Sequence, residues 1–113
     1  RIMFFIDPIK LQIDIALKLK AYGVEINTGR YSESTSYYAT KELKRIKKAA
    51  AYSTSMNLYT AAGHGLNENN LSKLVKIKDI KEYNIGHSII SNSIFYGLYG
   101  SIKRIQDIIN VDD

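Results

Sequence analysis

The sequence predicts an α/β domain built from four consecutive strand–helix units around a parallel sheet. Short apolar runs alternate with longer helical patterns along the whole chain, and each run stops at a polar or glycine-containing turn. No long linker or low-complexity tract intervenes. This is the pattern of parallel strands joined by helical crossovers. Four units suit either a small open sheet or one half of an eight-unit barrel. In both, function sits at the C-terminal ends of the strands.

The first strand is Ile2–Ile6, "IMFFI", an uninterrupted apolar run of the kind covered on both faces. Asp7-Pro8 follows as a helix cap with proline at the first helical position. The segment "IKLQIDIALKLKAYG" alternates like a strand, but Leu11, Ile15 and Leu19 also stand at i, i+4 and i+8. The cap at one end and Gly23 at the other favour a helix. The second strand is Val24–Asn27, "VEIN", and the loop "GRYSES" leads to a long helix over Thr35–Ser53. Ala39, Leu43, Ile46 and Ala50 form its apolar face. The third strand is Asn57–Ala62, ending at Gly63-His64-Gly65. Asn67 or Asn70 caps a short helix carrying Leu71, Leu74 and Val75. The fourth strand is Glu82–Ile85, ending at Gly86-His87. The last helix carries Ile90, Ile94, Leu98, Ile102, Ile105 and Ile109, spaced by threes and fours, with Gly97 and Gly100 weakening it.

The length, 113 residues, suits one small domain, and 45% hydrophobic residues suit a globular one. The chain opens at Arg1 on what reads as a strand already under way, so a piece of a longer protein is expected. No apolar run approaches the ~18 residues of a membrane helix. The absence of cysteine excludes disulfides and thiolate chemistry and fits a reducing cytoplasm. The net charge of +5 allows phosphate or nucleic-acid partners. Its densest run, "KELKRIKK", lies opposite a helical apolar face without interleaved aromatics. It therefore reads as a solvated surface, with no nucleic-acid partner expected.

The only two histidines, His64 and His87, both follow glycine at strand ends one strand–helix unit apart. Imidazole titrates near neutrality and is the default general acid or base. "NIGHSIISN" also places glycine before a helix start, where unpaired N–H groups and the helix dipole favour an anion. If these are the last two strands of a barrel, Gly65, Gly86 and His87 surround its usual phosphate position. Glu25 sits inside a strand between Val24 and Ile26. A carboxylate there is either functional or ion-paired to a neighbouring lysine. No cysteine or spaced histidine pair supports a metal site, and no cofactor is expected.

"VEINTGRYSE", "AAGHGLN" and "YNIGHSII" together resemble the C-terminal half of the pyridoxine 5′-phosphate synthases of vitamin B6 biosynthesis, over the whole chain. The resemblance implies strands five to eight of a (β/α)8 TIM barrel. It also implies condensation of 1-deoxy-D-xylulose 5-phosphate with 3-amino-2-oxopropyl phosphate to pyridoxine 5′-phosphate, phosphate and water. On it, His64 matches a proton donor and Glu25 a carboxylate that stabilises the transition state. Gly65, Gly86 and His87 match residues binding the aminoketone phosphate. A cytoplasmic homo-octamer is implied, as is a missing N-terminal half carrying the other catalytic groups, so that the piece alone is inactive. The chain departs from the family at Ala61, where members often carry Asn. Two other readings stay open: a different phosphate-binding barrel, such as an isomerase or aldolase, and a non-enzymatic module binding a phosphorylated ligand.

Overall fold

Parallel strands laid down in sequence order organise the molecule. The computed structural model describes residues 1–85 and 102–110. Its strands are β1 (Met3–Ile6), β2 (Gly23–Asn27), β3 (Tyr59–Gly63) and β4 (Glu82–Asn84). They form one sheet in the order β1-β2-β3-β4, every neighbouring pair parallel. The helices between them are α1 (Lys10–Lys18), α2 (Gly29–Glu33), α3 (Ser36–Ser55) and α4 (Leu71–Leu74). A sheet order without reversal, crossed over with one hand, puts its connections on one face.

Burial agrees with that geometry. Ile6, Val24, Ile26, Leu58 and Ala62 join a core with Ile13 and Ala16 of α1 and Ile46, Ala49 and Ala50 of α3. The opposite face follows the register Phe5↔Glu25↔Ala61↔Glu82 and Asn27↔Gly63↔Asn84. It is aromatic and polar, and Phe5 is 56% exposed on it. The first strand is therefore covered on one side only, not on both as its run of apolar residues suggests.

Buried polar groups tie α3 to the sheet. Ser53 Oγ and Thr60 Oγ1 share a hydrogen bond of 2.8 Å with both residues almost fully buried. The pairing satisfies hydroxyls that would otherwise lose their water uncompensated. The Tyr52 hydroxyl donates to Asp14, joining α3 to α1. With Lys10 it holds the Asp14 carboxyl below the usual carboxylate range.

Several boundaries differ from the sequence reading. α1 begins at Lys10 after an extended Ile9, so Asp7-Pro8 does not cap it. Asp7 instead offers its backbone N–H to Gln12 Oε1 at 2.7 Å. α1 also ends earlier, with Lys20 in the left-handed region at φ +58°. Gly23 opens β2 rather than closing the helix. A Cβ there would stand 2.3 Å from the Tyr59 carbonyl oxygen, and this close approach is what the position needs. The α1 stripe Leu11, Ile15 and Leu19, used above as evidence of a helix, does not face the sheet. These residues are 66%, 48% and 60% exposed, and Ile13 and Ala16 point inward instead. "GRYSES" is not a loop: most of it is α2, whose first N–H, that of Gly29, donates to Asn27 Oδ1 at 2.9 Å. β3 starts at Tyr59 because Asn57 turns the chain at φ +65°.

Asn70 stands at the cap position of α4 but its side chain makes no capping bond; Asn67 Oδ1 instead accepts from the N–H groups of Asn69 and Asn70, fixing the turn that leads into the helix. Residues 102–109 are helical, with Ile105 buried in the core and Ile109 packed against it. Ile90, Ile94, Gly97, Leu98 and Gly100 lie outside the described residues. Among the described residues no helix is long and apolar enough to cross a membrane.

Candidate active site

At the end of β3 the chain turns through His64 with φ +93°. For a residue with a side chain this backbone costs ~1–3 kcal/mol and persists only where neighbours fix it. Here two hydroxyls do so. Thr28 Oγ1, fully buried, donates to the His64 carbonyl at 2.9 Å, and Ser32 Oγ donates to the same oxygen at 3.2 Å. Thr28 N–H also donates to the Gly63 carbonyl at 2.8 Å.

The rest of the turn is anchored on both flanks. Tyr31, buried in α2, donates its hydroxyl to the Asn70 carbonyl at 2.6 Å, and burial pushes its pKa up. On the other flank Arg104 meets Glu68 through two bonds, Nε–Oε2 at 2.6 Å and Nη2–Oε1 at 3.3 Å. Arg104 holds the Glu68 carboxyl below its ordinary range.

So held, the His64 imidazole is exposed. One side of the ring meets the edge of Phe5, with centroids 6.5 Å apart. Another lies against Gly29. A Cβ at Gly29 would fall 2.8 Å from His64 Cδ2 and 3.0 Å from Asn27 Oδ1, so the absence of a side chain makes room for the ring. We expect Gly29→Ala to displace the imidazole while changing stability by only about 1 kcal/mol, since alanine suits a helix better than glycine. In the full-length protein the His64 ring resonances should shift while the melting temperature moves by only a few degrees. Unmoved resonances would show that the ring does not rest on Gly29.

Glu25 shares this region. Its carboxylate lies above Gly63, the residue before His64: a Cβ at Gly63 would stand 2.6 Å from Glu25 Oε2. Asn84 of β4 donates its side-chain amide to Glu25 Oε1. Among the described residues Glu25 has no ion pair, so the lysine partner considered for it is not found. Gly65 follows with φ +74°, packed against Ser32, its carbonyl accepting Asn70 Nδ2 at 3.1 Å. Gly86 and His87 lie outside the described residues. The structure thus gathers His64, Gly65 and Glu25 at one end of the sheet. It adds Thr28, which its place at a strand end marks in the sequence, and Tyr31, Ser32 and Asn84, which the sequence reading does not single out. Of these three only Asn84 leaves a signal, as a polar residue in the fourth strand, where it is in register with Gly63 on the face that carries Glu25.

Comparison with known proteins gives this arrangement a lineage. A model of the family described as pyridoxal phosphate biosynthesis protein PdxJ matches residues 1–111. A curated pyridoxine 5′-phosphate synthase from Sulfurihydrogenibium sp. is 47% identical over 108 residues, 96% of this chain and 44% of that protein. One from Thermodesulfovibrio yellowstonii is 41% identical over 96% of this chain and 45% of its own length. One from Legionella pneumophila is 39% identical over 95% and 44%. The chain thus spans less than half the length of these relatives, and the part it matches is their C-terminal part. With the family model running over nearly its whole length, the chain belongs to the PdxJ family of pyridoxal phosphate biosynthesis proteins.

Proposed function

We propose that these residues form the second half, strands five to eight, of a (β/α)8 barrel that makes pyridoxine 5′-phosphate. The substrates are 1-deoxy-D-xylulose 5-phosphate and 3-amino-2-oxopropyl phosphate, the products pyridoxine 5′-phosphate, phosphate and water. The observation that carries the reading is the strained, exposed His64 beside the Glu25 carboxylate at the C-terminal end of a sequentially ordered parallel sheet. Backbone strain held in place by its neighbours, here the buried Thr28 hydroxyl and that of Ser32, clusters at working sites. An open doubly wound sheet reverses its strand order at the binding crevice, and the order β1-β2-β3-β4 has no reversal.

In this reading His64 donates a proton to a departing hydroxyl or phosphate oxygen. Its exposed ring and fixed carbonyl allow the transfer without backbone movement. Glu25 stabilises a cationic, iminium-like centre by its charge, and the Asn84 amide orients the carboxylate. Gly65, Gly86 and His87 take the aminoketone phosphate. No step requires a metal or cofactor. The remaining acid–base groups come from the other half of the barrel, so the piece alone is inactive, and the working protein is a cytoplasmic oligomer, an octamer by resemblance.

The test is the ring-closing condensation assayed with the full-length protein, together with Gly86→Val. A side chain at Gly86 bars a phosphate from the backbone N–H groups and leaves every proton donor in place. We expect the KM for the aminoketone phosphate to rise roughly 10–100-fold, the worth of one or two charge-assisted hydrogen bonds, with saturated turnover largely kept. Full-length protein that forms no pyridoxine 5′-phosphate from these substrates would refute the assignment. A KM unchanged by Gly86→Val would move the phosphate elsewhere.

A further inference from the structure

The rim of the sheet holds a second polar cavity that the proposed reaction does not use. Its volume is about 260 Å³, and among the described residues it is lined by Asp7, Pro8, Ile9, Asn27, Arg30 and Arg45. It lies where the turn after β1 meets α2 and α3. Arg45 gives one guanidinium nitrogen to Glu42 at 2.7 Å. Arg30 has no ion pair among the described residues. Both arginines also line an adjoining cavity of about 350 Å³ that contains Lys41.

Two guanidiniums around one concavity repel each other unless an anion lies between them. Their planar forks suit the oxygens of a phosphate better than a lone ammonium does. The opposite wall has the other sign. Asp7 accepts Asn27 Nδ2 at 3.3 Å and Gln12 Nε2 at 3.4 Å, and its lone pairs are not exhausted by these long contacts. A dianion filling the whole cavity would meet that carboxylate. A ligand with a phosphate at one end and a donor at the other would satisfy both walls. The volume sits near the lower end for small-molecule sites, which suits a short phosphorylated compound and not an extended polymer.

We propose that this cavity binds a small phosphate monoester, its phosphate between Arg30 and Arg45 and a hydroxyl or amine donating to Asp7. The site is separate from the one formed by Gly65, Gly86 and His87 and does not depend on it.

Isotope-labelled full-length protein titrated with glycerol phosphate at constant ionic strength tests the assignment. Amides of Asp7 and Arg30 should shift saturably, and glycerol phosphate should bind more tightly than inorganic phosphate. Arg30→Gln and Arg45→Gln should each weaken binding at these amides about tenfold or more; thermal unfolding should stay unchanged in Arg30→Gln, whose side chain is exposed, and fall only slightly in Arg45→Gln, which gives up the pair with Glu42. Because glycerol phosphate also probes the other phosphate site, Gly86→Val serves as the control that removes that site alone. Binding lost in Gly86→Val and kept in both arginine variants would overturn this inference and leave the proposed function standing. Binding lost in the arginine variants and kept in Gly86→Val supports it whatever becomes of that function. An equal response to chloride, or displacement of glycerol phosphate by an oligonucleotide that shifts Lys44 and Lys47, would make the region a general polyanion surface and also overturn it.

Discussion

His64→Asn is expected to lower turnover of the full-length enzyme roughly 10²–10⁴-fold, the usual worth of a positioned general acid. Asparagine is the informative replacement because of the backbone. His64 sits at φ +93°, and asparagine enters the left-handed region more readily than most residues. Its carbonyl can still accept from Thr28 Oγ1 and Ser32 Oγ, and the turn into Gly65 survives. What disappears is the titratable ring. KM for both substrates should therefore change far less than turnover. If turnover stays within a few fold of the parent, His64 is a packing residue of the β3 turn, and the proton comes from elsewhere.

The same residue shows how much the sequence could reveal. His64 and Glu25 stand out because a strand end and a strand interior are places where these residue types need a reason, and the alternation of elements locates both without a structure. The hydrogen bonds that hold His64 leave no such trace. Thr28, Ser32 and Tyr31 act on backbone carbonyls of His64 and Asn70, more than thirty positions away. A hydroxyl's partner has no local pattern, and "TGRYSE" reads equally well as a polar loop. α2 went unread for the same reason: its five residues carry too little apolar periodicity to register, and the helix is started by Asn27 rather than by a face to bury.

α1 is a helix, but the stripe that signals it most clearly is not the one it buries. Leu11, Ile15 and Leu19 have helical spacing, yet they face away from the sheet, and the narrower pair Ile13 and Ala16 makes the contact with it. Periodicity identifies the helix but cannot say which of two apolar stripes meets the sheet when both are present. A helix apolar on two sides is one that packs against two neighbours. Among the described residues α1 has one of them, the sheet beside α3; on the half-barrel reading the second would be the element that precedes it.

That unfilled side leads to the second large effect. Residues 1–113 produced alone are expected to self-associate or to remain molten, with no sharp unfolding transition. β1 hydrogen-bonds to β2 along one edge and, among the described residues, to nothing along the other. An unpaired, largely apolar edge of this kind templates pairing with another chain. Beside it lie Ile2 at 65% exposure and the α1 stripe. A fully exposed side chain of this kind contributes about 1.5–3 kcal/mol on burial, so these four, half to two-thirds exposed, favour association by roughly 4–7 kcal/mol, comparable to the margin of about 5–15 kcal/mol by which a small domain is stable. Light scattering after size exclusion should find oligomers or aggregates at micromolar concentration. Replacing Leu11, Ile15 and Leu19 together with lysine should reduce the association without sharpening the melt, because the β1 edge would remain open. On the half-barrel reading, supplying the N-terminal half as a separate chain should do both, since it would bring a strand to the β1 edge and a helix to the open side of α1 together. A monodisperse 113-residue monomer with a single cooperative transition would mean that the open side of α1 and the free edge of β1 are tolerated as they stand, and the half-barrel reading would have to be abandoned in favour of a self-sufficient open sheet.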